Sequence, residues 1–137
     1  MLTKLSASSI DGFDNESTFG CQSKWWFEYV KGYKVEDPST QLGTLVHSSI
    51  EAYLLTGVNG LHKVALSGKH LIDEVKPRLF SIGGKPAIEH WFDKGVKYED
   101  VPLRGKIDAI AWVAVGPTSG LEIVDWKTTS SIERYAK

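Results

Sequence analysis

The sequence predicts an α+β fold in which N-terminal helices pack on a small, mainly antiparallel sheet of about three strands. Apolar residues recur at helical spacing through most of the first 80 positions. Past the Gly83-Gly84 pair the composition becomes β-prone, and the turn cluster Gly116-Pro117-Thr118-Ser119-Gly120 then separates two extended runs. A chain of 137 residues with 42% hydrophobic and 24% charged residues suits one compact core, so residues 1–137 are read as a single domain.

Ser6 and Ser8 are N-cap candidates for a short first helix that ends near Phe13, where Asp14-Asn15 breaks it. The segment CQSKWWFEYVKG sets Trp25, Trp26, Tyr29 and Val30 within helical reach of one another, and Gly32 stops the helix. Their apolar spacing favours core packing for both tryptophans. After a polar linker with Pro38, Leu42, Leu45, Val46, Ile50, Tyr53 and Leu54 follow the helical period up to Gly57. Residues 61–80 stay helical, with interruptions at Gly68 and Pro77. SIGGKPAIEHWF is a short β-prone stretch, and VPLRGKIDAIAWVAV and LEIVDWKTT form two antiparallel strands.

Sixteen basic against 17 acidic side chains leave no overall positive field, so any attraction to a polyanion has to come from local clusters. One cysteine, Cys21, excludes an internal disulfide. No run approaches the roughly 18 apolar residues that a membrane span needs, and the N-terminus lacks the apolar core of a signal peptide. A cytoplasmic protein without a membrane partner is the expectation.

The sharpest chemical signal is Asp125-Trp126-Lys127 at the end of an apolar strand, where the period of two points Asp125 and Lys127 to one side. If the 116–120 turn closes a hairpin, Asp108 in RGKIDAI comes to a neighbouring strand with its carboxylate on the same face. Two carboxylates so placed repel unless a cation lies between them, and oxygen-rich ligation suits magnesium or manganese. His47, one helical turn before Glu51, adds an imidazole that tilts the choice towards manganese. Gly43, a turn earlier, lets that helix approach the sheet closely. Lys127 would hold the attacking water and balance charge on a phosphate oxygen. Singly, each piece also reads as an ordinary surface pair or a satisfied core histidine. A zinc hydrolase built on His47 and Glu51 would need His62, His70 or His90 to converge with them.

These residues resemble the RecB-type exonuclease branch of the PD-(D/E)XK nuclease superfamily. LSASSIDGF and CQSKWWFEYVKG are similar to its opening serine-rich helix and Cys-x-x-Lys-aromatic segment, LGTLVHSSIEAYL to its Gly-x-x-x-His helix, VPLRGKIDAI to its Gly-x-x-Asp strand, and LEIVDWKTT to its Asp-aromatic-Lys-Thr strand. The resemblance implies a restriction-endonuclease-like core and a magnesium- or manganese-dependent deoxyribonuclease acting in recombination, repair or phage replication. It implies His47, Asp108, Asp125 and the Trp126 backbone carbonyl as metal ligands and Lys127 as the catalytic lysine; Glu51 and Glu89 lie near family positions that are often acidic. Family members continue with a Gln- and Tyr-bearing helix and a further strand. The core is therefore expected to be incomplete, an N-terminal fragment, and Tyr135 lies too near the strand to take that tyrosine's role.

Cys21 resembles the first cluster ligand of iron-sulfur members, in which three further cysteines follow the catalytic core; a cluster is not expected unless further cysteines follow residue 137, and Cys21 is expected to be a small buried apolar residue. DNA is the implied partner, with a helicase, a recombination protein or a second copy of the chain as further candidates. Lys24, Lys31 and Lys34 beside Trp25 and Trp26, Arg104 and Lys106 before Asp108, and Thr128 with Thr129 are its candidate contacts. The alternative is a nuclease-fold DNA-binding or assembly subunit without catalysis.

Overall fold

The computed structural model describes residues 5–14, 20–33, 37–92 and 95–128. Lys34, Thr129 and Tyr135, named above, lie outside the described residues. By its contacts the chain divides into two compact units, residues 1–36 with 91–106 and residues 37–90 with 107–137.

In the first unit, helix α1 (Ala7–Phe13) starts at Ser6, whose hydroxyl accepts the Ser9 N–H while the Ser9 hydroxyl accepts the Ser6 N–H. This reciprocal cap satisfies two orphan donors at the helix start. The next helix differs from expectation. Only Gln22–Trp25 is α-helical (α2), and Trp26–Val30 continue as a π turn with no buried residue in either piece. Trp25 packs edge-on against Phe13, with ring centroids 5.0 Å apart, and thus ties α2 to α1. Trp26 is exposed, contrary to the apolar reading of its spacing. Cys21 is exposed as well rather than buried, because it occupies the N-cap of α2 with its backbone engaged and its side chain outside any core. Two short strands, β4 (Lys97–Tyr98) and β5 (Val101–Pro102), pair antiparallel, and Leu5 bridges Leu103 beside them.

The second unit is organised by the 19-residue helix α3 (Pro38–Thr56). Asp37 caps it through the Ser39 N–H, Pro38 supplies the fixed first-turn φ, and Gly57 ends it at φ 75°. Its buried side chains Val46, Ile50, Tyr53 and Leu54 form the stripe that the sequence period anticipates. Leu61, Ala65 and Ile72 complete this core, and Leu79, Ile88 and Trp126 pack against it. Gly68 and the region of Pro77 break the following stretch into α4 (Lys63–Leu66), α5 (Lys69–Val75) and a 3₁₀ turn (Lys76–Arg78). Arg78 fastens that turn to the sheet by donating from Nη1 to the Trp112 carbonyl and to Glu122 Oε1, both at 2.6 Å.

A Gly83-Gly84 turn, with φ 59° and 78°, closes the two-residue strands β1 (Ser81–Ile82) and β2 (Lys85–Pro86). The main sheet holds β3 (Ile88–Phe92), β6 (Gly105–Val115) and β7 (Thr118–Val124) in the order β3-β6-β7. This is the α+β, restriction-endonuclease-like arrangement expected from the sequence. The β6–β7 hairpin is tighter than the five-residue turn cluster suggested. Val115 pairs with Thr118, so only Gly116 and Pro117 form the loop, with Gly116 at φ 59°. No helix among the described residues is long and apolar enough to cross a membrane.

Two consequences of this packing are testable. A Cβ on Gly105 would clash with the Phe92 ring, so Gly105→Ala should destabilise the protein by about 1–3 kcal/mol, read from the urea midpoint. Phe92→Leu in the same chain should recover part of that loss, since the two residues share one contact. The second concerns the α3–α5 contact, where Asp73 accepts from Tyr53 Oη and from Lys69 Nζ, each at 2.5 Å. The hydrogen bond from Lys69, then that from Tyr53, lowers the Asp73 pKa below the usual carboxylate value, while the bonds that Lys69 donates to Asp73 and to Tyr53 Oη raise its own pKa. The Asp73 contribution is therefore present above the ordinary carboxylate range and lost as pH falls through its lowered value. Asp73→Asn should flatten the acid limb of the stability profile and leave the fold intact at neutral pH.

Candidate metal site

Three side chains from three separate elements converge in the second unit. His47 projects from the middle of α3, Glu89 from β3 and Asp108 from β6, each offering one ligand atom within 4.8 Å of the others. His47 Nδ1 stands 3.5 Å from Asp108 Oδ2 and 3.8 Å from Glu89 Oε1. Both distances exceed a hydrogen bond. Bonds of about 2.1–2.2 Å set neighbouring ligands about 3 Å apart at right angles and about 3.5 Å apart at the tetrahedral angle, so the Asp108 distance lies at the upper end of that gap and the Glu89 distance a few tenths of an ångström beyond it.

Burial sharpens the point. Asp108 is 7% exposed, and its Oδ2 accepts the Trp126 backbone N–H at 2.7 Å. One hydrogen bond of this kind orients the carboxylate but does not neutralise it. Among the described residues, Glu89 is one of two non-glycine residues with positive φ, at 50°, within an otherwise extended strand. Such a backbone costs about 1–3 kcal/mol and persists only where its surroundings enforce it. At Glu89 the unusual backbone accompanies a carboxylate delivered to His47 and Asp108. An imidazole beside two carboxyl groups is a donor set that suits a divalent cation. The residues present therefore fit a divalent ion.

Asp125 and Lys127 lie just beyond β7, largely exposed, and face each other as the strand period predicts. Lys127 Nζ is 2.9 Å from Asp125 Oδ1 and 2.8 Å from Oδ2. The β6–β7 register pairs Ala109 with Val124, and one step further it would set Asp108 opposite Asp125. Asp125 nevertheless is not one of the three converging side chains; it pairs with Lys127, while the peptide between Asp125 and Trp126 donates to Asp108. The Trp126 indole packs on the α3 core, which fixes the position of that peptide. Asp125, Trp126, Lys127 and Thr128 also form one wall of a cleft of about 410 Å³ whose other walls include Val46, Ile50 and Leu71.

Glu51 is half-buried on α3 and does not join the cluster among the described residues. The zinc alternative loses its extra ligand: His62 Nδ1 accepts the Val64 N–H and caps α4, and neither His70 nor His90 joins His47 among the described residues. Gly43 meets Thr128, but a Cβ there would sit 3.7 Å from Thr128 Oγ1, an ordinary contact, so sterics alone do not require glycine. Of the candidate DNA contacts, Lys24, Lys31, Arg104 and Lys106 belong to the first unit and Thr128 to the second. Lys24 lies 3.7 Å from Glu28, Lys31 lies over the Trp26 ring and Lys106 lies over the Trp91 ring.

Sequence reasoning ranked Glu89 below the aspartates, whereas the geometry places it with His47 and Asp108. An available signal was a lone acid in the short β-prone run between Pro86 and Phe92, although its left-handed backbone could not be read from composition.

No curated protein and no solved structure matches the chain. A family model does, that of the PD-(D/E)XK nuclease superfamily, over residues 4–136, a span that includes all three converging side chains as well as Asp125 and Lys127. With nearly its whole length matched, the chain belongs to the PD-(D/E)XK nuclease superfamily.

Proposed function

We propose that the protein is a magnesium- or manganese-dependent deoxyribonuclease, an exonuclease of the RecB type, acting on DNA ends in recombination, repair or phage replication. The observation that carries this reading is the convergence of His47, Glu89 and Asp108 at ligand spacing within a chain of a nuclease superfamily. These three side chains would hold the ion, with Asp125 and the Trp126 carbonyl as the further ligands the resemblance implies. A divalent ion held there would supply Lewis-acid polarisation of the scissile phosphate and a more acidic water.

The chain's own groups have separable roles. Asp108 is kept in place by the Trp126 N–H, so its free lone pairs point consistently. Lys127, paired with Asp125 at the strand end, carries a positive charge that can hold the attacking water and offset charge building on a phosphate oxygen. In the hydrolysis itself, water oxygen bonds to phosphorus, the bond from phosphorus to the 3′ oxygen breaks, and the leaving oxygen takes up a proton. The products are a 5′-phosphate and a 3′-hydroxyl. Cys21 by itself does not supply the four thiolates of an iron-sulfur cluster. A helicase or recombination protein as partner, and self-association, belong to the same proposal.

The test is cleavage of end-labelled DNA with and without metal. Activity should require magnesium or manganese, vanish in chelator, and fall by about 100-fold or more in Asp125→Ala and Lys127→Ala, the scale expected for loss of a group stabilising transition-state charge. Full-length DNA after incubation with metal, together with metal-independent binding, would overturn catalysis and support the DNA-binding subunit instead.

A further inference from the structure

We infer that the exposed aromatic surface of Trp26, Phe27 and Tyr33, with Lys31 beside it, is a stacking platform for single-stranded DNA. The inference rests on the reading of DNA as substrate and adds which form of DNA is bound and where. The three rings form a connected run: Trp26 and Phe27 have centroids 5.2 Å apart at 85°, and Phe27 and Tyr33 have centroids 6.4 Å apart. They are 42%, 51% and 67% exposed. The packing duty of this segment falls instead to Trp25, which is set against Phe13 and lies 5.9 Å from Tyr29. Trp26, Phe27 and Tyr33 therefore present large apolar area to water, an arrangement that usually marks an interaction surface.

Charge identifies the occupant. Lys31 Nζ lies 4.9 Å from the Trp26 ring centroid, and Lys24, largely exposed, has its Nζ 3.7 Å from Glu28 Oε1. From Cys21 to Lys34 the sequence holds Lys24, Lys31 and Lys34 against Glu28 alone, a local excess of two positive charges in a chain whose net charge is −1. Aromatic faces interleaved with ammonium groups match a ligand that alternates flat bases with phosphates. In a duplex the base faces are hidden in the stack, so only unpaired bases can meet the rings. The local backbone is also unusual: the π turn Trp26–Val30 closes with the Lys31 N–H on the Trp26 carbonyl at 3.1 Å, and π turns recur at functional positions.

The experiment is fluorescence anisotropy in chelator, so that no cleavage intervenes, with labelled oligo(dT) and a duplex of equal length, about 20 nucleotides, enough to cover one site. Trp26→Ala and Tyr33→Ala should each weaken single-strand binding by roughly 5- to 100-fold, the scale of one lost stack, and leave duplex binding within about twofold. Trp26→Phe should retain most of the affinity, and circular dichroism of all variants should match the parent. Equal losses on duplex and single strand, or no loss on either, would overturn the inference. So would a platform variant that abolishes self-association while binding oligo(dT) as the parent does. Failure of the nuclease reading looks different: the parent would bind oligo(dT) through these rings and yet leave it uncut with metal present.

Discussion

Asp108 sits in the second unit with little access to water, and one backbone N–H from Trp126 is its short hydrogen bond. The acid of Glu89 stands close by, so that two carboxyl groups from two strands offer ligand atoms to one point. The imidazole of His47 completes the setting. Much of the second unit bears on this arrangement. The buried stripe of α3 fixes where His47 points, β6 carries Asp108, and the indole of Trp126 holds the peptide that steadies it.

The three groups come from distant parts of the chain, and each is delivered differently. His47 rides a 19-residue helix with a cap at both ends, so its position follows from core packing one residue before it, at Val46. Asp108 follows from the hairpin register and stands next to the fully buried Ala109. Glu89 depends on a left-handed backbone within a strand, which local propensity opposes. A position at which local preference yields to tertiary demand is characteristic of functional sites. Asp125 and Lys127, by contrast, are mostly exposed and paired with each other, which leaves both accessible to a substrate.

Much of this was legible in the residues. The helical stripe of Val46, Ile50, Tyr53 and Leu54, the two-strand hairpin and the one-sided placement of Asp125 and Lys127 all follow from periodicity. The hairpin loop shrank to Gly116-Pro117 because pairing extended through Thr118. The segment around Trp26 was misread because apolar spacing marks a helix face without saying what it faces. Two adjacent tryptophans divide the work there, Trp25 inward and Trp26 outward. Cys21 was misjudged similarly, as its backbone role at a helix start overrode the usual burial of a thiol. The left-handed backbone of Glu89 was not legible, since no periodicity signals such a residue inside a strand. Gly105 gained a reason that its motif did not supply, the ring of Phe92 occupying the space of a Cβ.

The claim beneath the whole account is that His47, Glu89 and Asp108 share one divalent ion. Electron spin-echo spectroscopy of the protein with bound manganese(II) tests it directly, because an imidazole ligand modulates the echo through its nitrogen. The account predicts a histidine nitrogen coupling in the parent that disappears in His47→Gln, with metal affinity falling in Glu89→Gln and Asp108→Asn. Manganese that binds without nitrogen coupling, or that binds Asp108→Asn as tightly as the parent, would contradict it.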